Sequence, residues 1–341
     1  MKLPAVFERY RSAIDAELRS TLAAYQGPLY DMLRYHLGWM DADGNPLASG
    51  AGKALRPTLC LLACECSGTD YRKALPAAAA VELVHNFSLI HDDVQDGDRE
   101  RRHRPAVWSV WGKAQAINAG TAMRIIASLA IQGLSTKGIS LEKQLRAQRL
   151  LDDSCLHLIE GQYLDISYER RIDIGVSDYL AMIEGKTASL MAGSLEVGML
   201  LGSDDESAIQ AFRRFGLNLG FAFQIRDDVL GIWGDERKTG KPVGSDILRR
   251  KKSFPVVYAL ETASDGPREE LISIYQRGSA GEGELQRVLG ILDEVEARAY
   301  SEAVADHYRA RALAEIKKVS ISSQERQDLE EMACFLTERE Y

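Results

Sequence analysis

No stretch of the 341-residue chain approaches the roughly 20 consecutive apolar residues that a membrane-spanning helix requires. The opening residues, MKLPAVFERYRSAIDAELRS, are charged throughout and hold no apolar signal core, so a cytoplasmic protein is expected. Cysteine is scarce and poorly spaced. Cys60, Cys64, Cys66, Cys155 and Cys334 are odd in number and form no CxxC pair, which removes both a disulfide framework and a zinc site. Strand signals are also missing, with no hairpin turn flanked by alternating β-branched residues. A net charge of −8 excludes general nucleic-acid binding. No interdomain linker and no repeat of fixed period is visible.

What remains is apolar periodicity of the helical kind. The i, i+3, i+4 spacing recurs over Leu75 to Ile90, Ala114 to Gly133, Leu141 to Tyr168, Asp178 to Leu201, Glu206 to Ile232, Pro255 to Ala263, and a last run reaching Glu340. The breaks are short and turn-like, at 41–52, 202–207 and 277–284, and the longest glycine- and lysine-bearing loop is 234–246. With 45% hydrophobic and 27% charged residues, the chain reads as one soluble all-α domain over 1–341, a bundle of ten or more helices.

Two acidic segments stand out. The first is HDDVQDGDRERRHRP, residues 91–105. On a helix Asp92 and Asp96 share one face, with Asp93 roughly 100° round. The preceding HNFSLI is apolar, so these acids sit at the mouth of something buried. Carboxylate oxygens at this spacing suit Mg²⁺, which keeps waters and shares ligands with substrate phosphates. Arg101 and Arg102 follow at once, offering guanidinium forks for phosphate oxygens. The pairing points to a metal-complexed diphosphate.

The second segment, FQIRDDVLGIWGD (223–235), repeats the theme. Asp227 and Asp228 again follow an apolar helix, and Gln224 lies one turn before Asp228. A basic loop, TGKPVGSDILRRKKSFP (239–255), comes next, and its Lys241 and Lys251 can pair with phosphates. Two such segments facing each other can hold metal ions around one diphosphate and stabilise its departure. Apolar helix walls would then hold a carbon chain.

These residues resemble the trans-isoprenyl diphosphate synthases, all-α enzymes with a deep central cavity that usually work as homodimers. The ordered motifs are GKALRP (52–57), VELVHNFSLIHDDVQDGDRERRHRP (81–105), GQYLD (161–165), GKTASL (185–190), FQIRDD (223–228), and GKPVGSD with KKSFP (240–255). The resemblance implies that Asp92 and Asp96, supported by Asp93, hold two Mg²⁺ ions, and that Asp227 beside Asp228 holds a third. It makes Lys53, Arg56, His85 and Arg102 the head-group pocket of isopentenyl diphosphate. Arg101, Lys186, Lys241 and Lys251 become the cradle of the allylic diphosphate, whether dimethylallyl, geranyl or farnesyl. Thr187 and Gln224 lie where the family stabilises the allylic cation. The implied reaction is ionisation, attack by the isopentenyl double bond, and proton loss to the released diphosphate, with no dedicated protein base. His91 is left outside the site.

Three positions depart from the family pattern. Gly231 replaces the third aspartate of the second motif, His103 stands where a glycine usually follows the arginines, and Thr121 replaces a usual aspartate. Product length rests on the helix before Asp92. Ser88 lies one turn below, roughly 5.4 Å deeper, with Phe87 beside it and Val84 two turns down. An aromatic at the fifth position before the motif resembles the geranylgeranyl-forming pattern, so a C20 product is expected, with farnesyl or longer products as alternatives. A class I terpene cyclase or a head-to-head synthase has no use for Lys53, Arg56, His85 and Arg102. Intact acids in both motifs disfavour a non-catalytic partner subunit.

Overall fold

The computed structural model describes residues 3–47, 52–235, 242–276 and 281–338, and among them the chain is helical almost throughout. It divides into two compact units, one of Pro4–Cys155 with Gly193–Phe212, the other of Leu156–Ala192 with the chain from Arg213 onwards. The expected all-α class is met, and no described helix is long and apolar enough to cross a membrane.

The first unit holds α1 (Ala5–Ala23), α2 (Pro28–His36), α3 (Leu55–Cys66), α4 (Leu75–Asp96), α5 (Val107–Trp111) and α6 (Lys113–Ile131). Its centre is α4, which is buried on nearly every side from Leu75 to Ile90. Ala77, Ala78, Ala79 and Ala80 are good helix formers with little bulk, so neighbouring helices approach closely there. The largest contact of α4 is with α6, followed by α3 and α1. The helix stops at Gly97, whose φ of +71° no continuing helix could use.

A two-stranded hairpin follows, β1 (Glu100–Arg101) with β2 (Arg104–Pro105). It lies within RERRHRP (99–105), where two-residue strands are too short for any alternation to register in the sequence. Arg104 anchors it, donating to the carbonyls of Tyr35 (3.1 Å) and Met40 (2.8 Å).

The second unit holds the later part of α7 (Leu141–Tyr168), α8 (Val176–Ile183), most of α10 (Glu206–Trp233), α11 (Ser245–Leu248), α12 (Phe254–Thr262), α13 (Asp265–Gln276), α14 (Glu282–Glu294), α15 (Ala297–Ile316) and α16 (Ser323–Thr337). Tyr179, Phe221, Ile225, Phe254, Val257 and Ala305 form one of its cores. The start of α16 is set by a capping box, the Ser322 hydroxyl accepting from the Glu325 N–H while Glu325 accepts from the Ser322 N–H.

The periodic run expected from Asp178 to Leu201 is not one helix. A π turn, Glu184–Ala188, separates α8 from α9 (Ser189–Gly202) and carries Lys186 and Thr187. Its place is set by a backbone-to-backbone contact. A Cβ on Gly161 of α7 would overlap the Lys186 amide, and one on Gly185 would stand 2.6 Å from the His157 carbonyl. Both glycines are there because nothing larger fits.

Candidate active site

In the first unit the basic residues gather around the middle of α4. Arg56, on the first turn of α3, places Nη1 3.3 Å from His85 Nε2. Arginine only donates, so Nε2 accepts and the imidazole carries its proton on Nδ1. Burial first, and then the charges of Arg56 and Arg102, push the His85 pKa well below its ordinary value. One turn earlier, Glu82 is buried and accepts from Asn86 Nδ2 at 3.0 Å through one oxygen. Burial raises its pKa, against the Asn86 hydrogen bond and the charges of Arg102 and Arg56. Arg56 falls to about 10 through burial, with Glu82 restoring part of the loss.

Glu82 was not among the expected site residues. A lone acid inside the apolar run VELVHN was its signal, since glutamate is seldom buried unpaired. Glu82 and Lys53 line a cavity of about 340 Å³, and a second of about 300 Å³ is lined by Arg101, Arg102 and His36. Gly52 lies against Arg102, whose Nη2 stands 3.1 Å from where a Cβ would be.

The first acidic motif occupies the last turn of α4. Asp92 is half-buried and Asp96 exposed, whereas Asp93 is only 1% exposed. Both Arg101 Nε (2.7 Å) and Nη2 (2.6 Å) reach Asp93 Oδ1. Burial raises the Asp93 pKa, with the Arg101 hydrogen bond opposing it. For Arg101, burial works against the charge, but the hydrogen bond and charge of Asp93, then Asp92 and Asp98, raise its pKa overall. Three carboxylates at a helix C-terminus face the negative end of its dipole, and only countercharge relieves that.

The turn of the hairpin is left-handed at two consecutive residues, Arg102 (φ 55°) and His103 (φ 58°), as a two-residue I′-type connection demands. This explains why glycine is usual at position 103. His103→Gly should raise stability by about 1 kcal/mol, read as a shift of the urea midpoint, because glycine adopts this conformation without Cβ strain.

His91 sits apart from this chemistry, its Nε2 3.2 Å from the Ile117 carbonyl and its ring against Gly120 and edge-on to Phe87. Thr121 is exposed on the same face of α6 as Ile117 and Ile125.

In the second unit, Asp228 on α10 is fully buried and organises its surroundings. Its Oδ2 accepts from the Tyr179 hydroxyl and from the Phe254 N–H (3.0 Å), and its Oδ1 from Lys251 Nζ (2.9 Å) and Gln224 Nε2 (3.3 Å). Thr187 Oγ1 donates to Gln224 Oε1 at 2.8 Å, so a chain of hydrogen bonds runs from the π turn to the acidic motif. Lys186 is ion-paired with Asp165. Partial burial works against the Lys251 ammonium, but Asp228 and Asp246 hold its pKa above the ordinary lysine value. Asp227, beside them, is half-buried. Lys241 lies outside the described residues.

The acids of both motifs offer oxygen donors only, the set a hard cation such as Mg²⁺ takes. Among the described residues no three acidic, histidine or cysteine side chains converge to hold an ion by themselves. An ion here would complete its shell with water and substrate oxygens, which is how Mg²⁺ binds phosphates.

The sequence model of the polyprenyl synthetase family matches residues 39–292. The chain belongs to that family. It is similar to a geranylgeranyl diphosphate synthase of Mycobacterium tuberculosis, 44% identical over 276 residues, 81% of this chain and 77% of the relative. A (2E,6E)-farnesyl diphosphate synthase of the same organism is 38% identical over 312 residues, covering 91% and 86%. The crystal structure of a polyprenyl synthetase from Streptomyces coelicolor superposes with a TM-score of 0.90 at 38% identity, covering 97% of this chain and 98% of that one. The protein is thus a prenyl diphosphate synthase, an enzyme that joins isopentenyl units head to tail onto an allylic diphosphate. Each unit places basic side chains beside an acidic motif, Arg101 beside Asp93 in the first and Lys251 beside Asp228 in the second.

Proposed function

We propose that this synthase elongates an allylic diphosphate with isopentenyl diphosphate to the C20 product, geranylgeranyl diphosphate. The observation that carries the reading is the end of α4, where Asp92 and Asp96 share a face and Asp93 holds Arg101 beside them. Asp92, Asp96 and Asp227 would bind Mg²⁺, three ions in all, which when bound neutralise the charge of the departing diphosphate. Asp93 and Asp228, expected among the ligands, serve better as positioning carboxylates, since protein donors already engage them. Arg101, Lys186, Lys241 and Lys251 bind the allylic diphosphate, and Thr187 with Gln224 lends dipoles to the allylic cation. Lys53, Arg56 and Arg102 bind the isopentenyl head group, with a neutral His85 as an uncharged hydrogen-bonding partner.

The C20 product rests on Phe87. Its ring is buried and braced by His91, so it gives way little, while Ser88 turns its hydroxyl to the His85 carbonyl (2.8 Å) and adds no bulk. Val84 is fully buried below. A homodimer is supported by α6, where Ile117, Ile125 and Leu129 are exposed along one stripe. Incubation of the purified chain with Mg²⁺, isopentenyl diphosphate and farnesyl diphosphate should yield a C20 diphosphate, and light scattering of the same sample should read two copies. No extended product would sink the elongase reading. Phe87→Ala should release longer products, and products no longer than the parent's would overturn the floor assignment.

A further inference from the structure

The two acidic motifs differ at one place. The first runs Asp92, Asp93, Asp96; the second runs Asp227, Asp228 and then, four residues after Asp227, Gly231. The space that a side chain at 231 would enter is not empty. A Cβ built on Gly231 would overlap the carboxylate of Asp246, 2.9 Å from its Oδ1 and closer still to its Oδ2. Fifteen residues downstream, α11 therefore delivers a carboxylate to the point where the helix carries none. Backbone contacts hold that delivery in place. The Gly244 N–H donates to the Ile232 carbonyl at 2.9 Å, and the Ser245 hydroxyl donates to the Gly231 carbonyl at 3.3 Å. Asp246 is 8% exposed, and its Oδ2 lies 3.6 Å from Lys251 Nζ. The same ammonium is 2.9 Å from Asp228, while the Lys251 side chain as a whole remains 43% exposed. A cation locked from behind by two buried carboxylates, yet open in front, is arranged to meet an anion.

We propose that Asp246 is the missing third carboxylate of the second motif, supplied from α11 into the gap left by Gly231, and that it positions Lys251 for the metal-bound diphosphate. Gly231 is then the seat of another residue's side chain rather than a loss. The inference rests on the reading that Asp227 and Lys251 serve a diphosphate. It also sets a rule that a purely structural Asp246 would not obey, because the two positions compete for one volume and are exchangeable.

The test uses the full-length protein and titrates inorganic pyrophosphate in the presence of Mg²⁺ by calorimetry. Asp246→Asn, nearly equal in size, should keep the parental melting temperature without ligand yet bind pyrophosphate–Mg²⁺ about tenfold or more weakly, as loss of a supporting carboxylate does. Gly231→Asp alone should lose as much, since the new side chain displaces Asp246. The exchange variant Gly231→Asp/Asp246→Gly should return to within a few-fold of the parent. Parental binding by Asp246→Asn, or losses that multiply in the exchange variant, would overturn the proposal. If the exchange variant does not fold, Asp246→Asn decides alone. A parent that binds pyrophosphate but extends no prenyl chain would defeat the elongation reading and leave the Asp246 result standing.

Discussion

Asp92→Ala should lower turnover about a thousandfold while the fold stays intact. On the proposed role of Asp92, an ion held there would supply several kcal/mol of transition-state charge stabilisation, and about 4 kcal/mol corresponds to three orders of magnitude in rate. The folded state should lose little, since relieved repulsion offsets the attraction to Arg101 that Asp92 gives up. Asp92 is half-buried at the negative end of α4, next to Asp93 and one turn from Asp96, so removing its charge relieves repulsion. Steady-state turnover at saturating substrate, paired with a thermal melt, separates the two effects. The melt should be unchanged or shifted slightly upward. Near-parental turnover would mean that the acids merely decorate a solvated helix end.

The largest loss of stability is expected from Asp228→Ala. This carboxylate is fully buried and serves four donors at once, the Tyr179 hydroxyl, the Phe254 N–H, Lys251 and Gln224. Alanine strands two of them in the interior. A buried donor left without its acceptor costs roughly 1–3 kcal/mol, so Tyr179 and Phe254 together set a loss of about 2–6 kcal/mol. Lys251 adds little to that figure, because its side chain is well exposed. Urea unfolding should show the loss as a lowered midpoint. A midpoint within about 1 kcal/mol of the parent's would mean that water replaces the carboxylate, and Asp228 would then be free to act on an ion instead.

Much of this was legible in the residues. The periodic run from Leu141 to Tyr168 is α7 to the residue, and the run from Glu206 to Ile232 ends one residue short of α10, because long amphipathic helices announce themselves. The π turn was hidden because one wide turn barely disturbs a helical repeat, although GKT with its glycine sits inside it. The neighbouring acids of each motif look alike in sequence but point different ways. Asp93 and Asp228 turn inward to protein donors, and only the packing around each helix reveals that. Asp246 could not be paired with Gly231 from sequence, since the contact joins a helix to a loop-borne segment and no spacing rule spans that gap. Glu82 could have been found, as a charge stranded in an apolar helix.

The meeting of Gly161 with the π turn has a consequence for how this enzyme can change. Lys186 is indexed to α7 by one main chain resting on another, with no side chain between them to adjust. Selection for new substrates can reshape the carbon-chain pocket one side chain at a time. It has no comparable handle on the position of this lysine, for which positions 161 and 185 admit no intermediate sizes. On the proposed role of Lys186 in binding the allylic diphosphate, that end of the reaction is held by a contact with no room to drift, whatever the chain length of the product becomes.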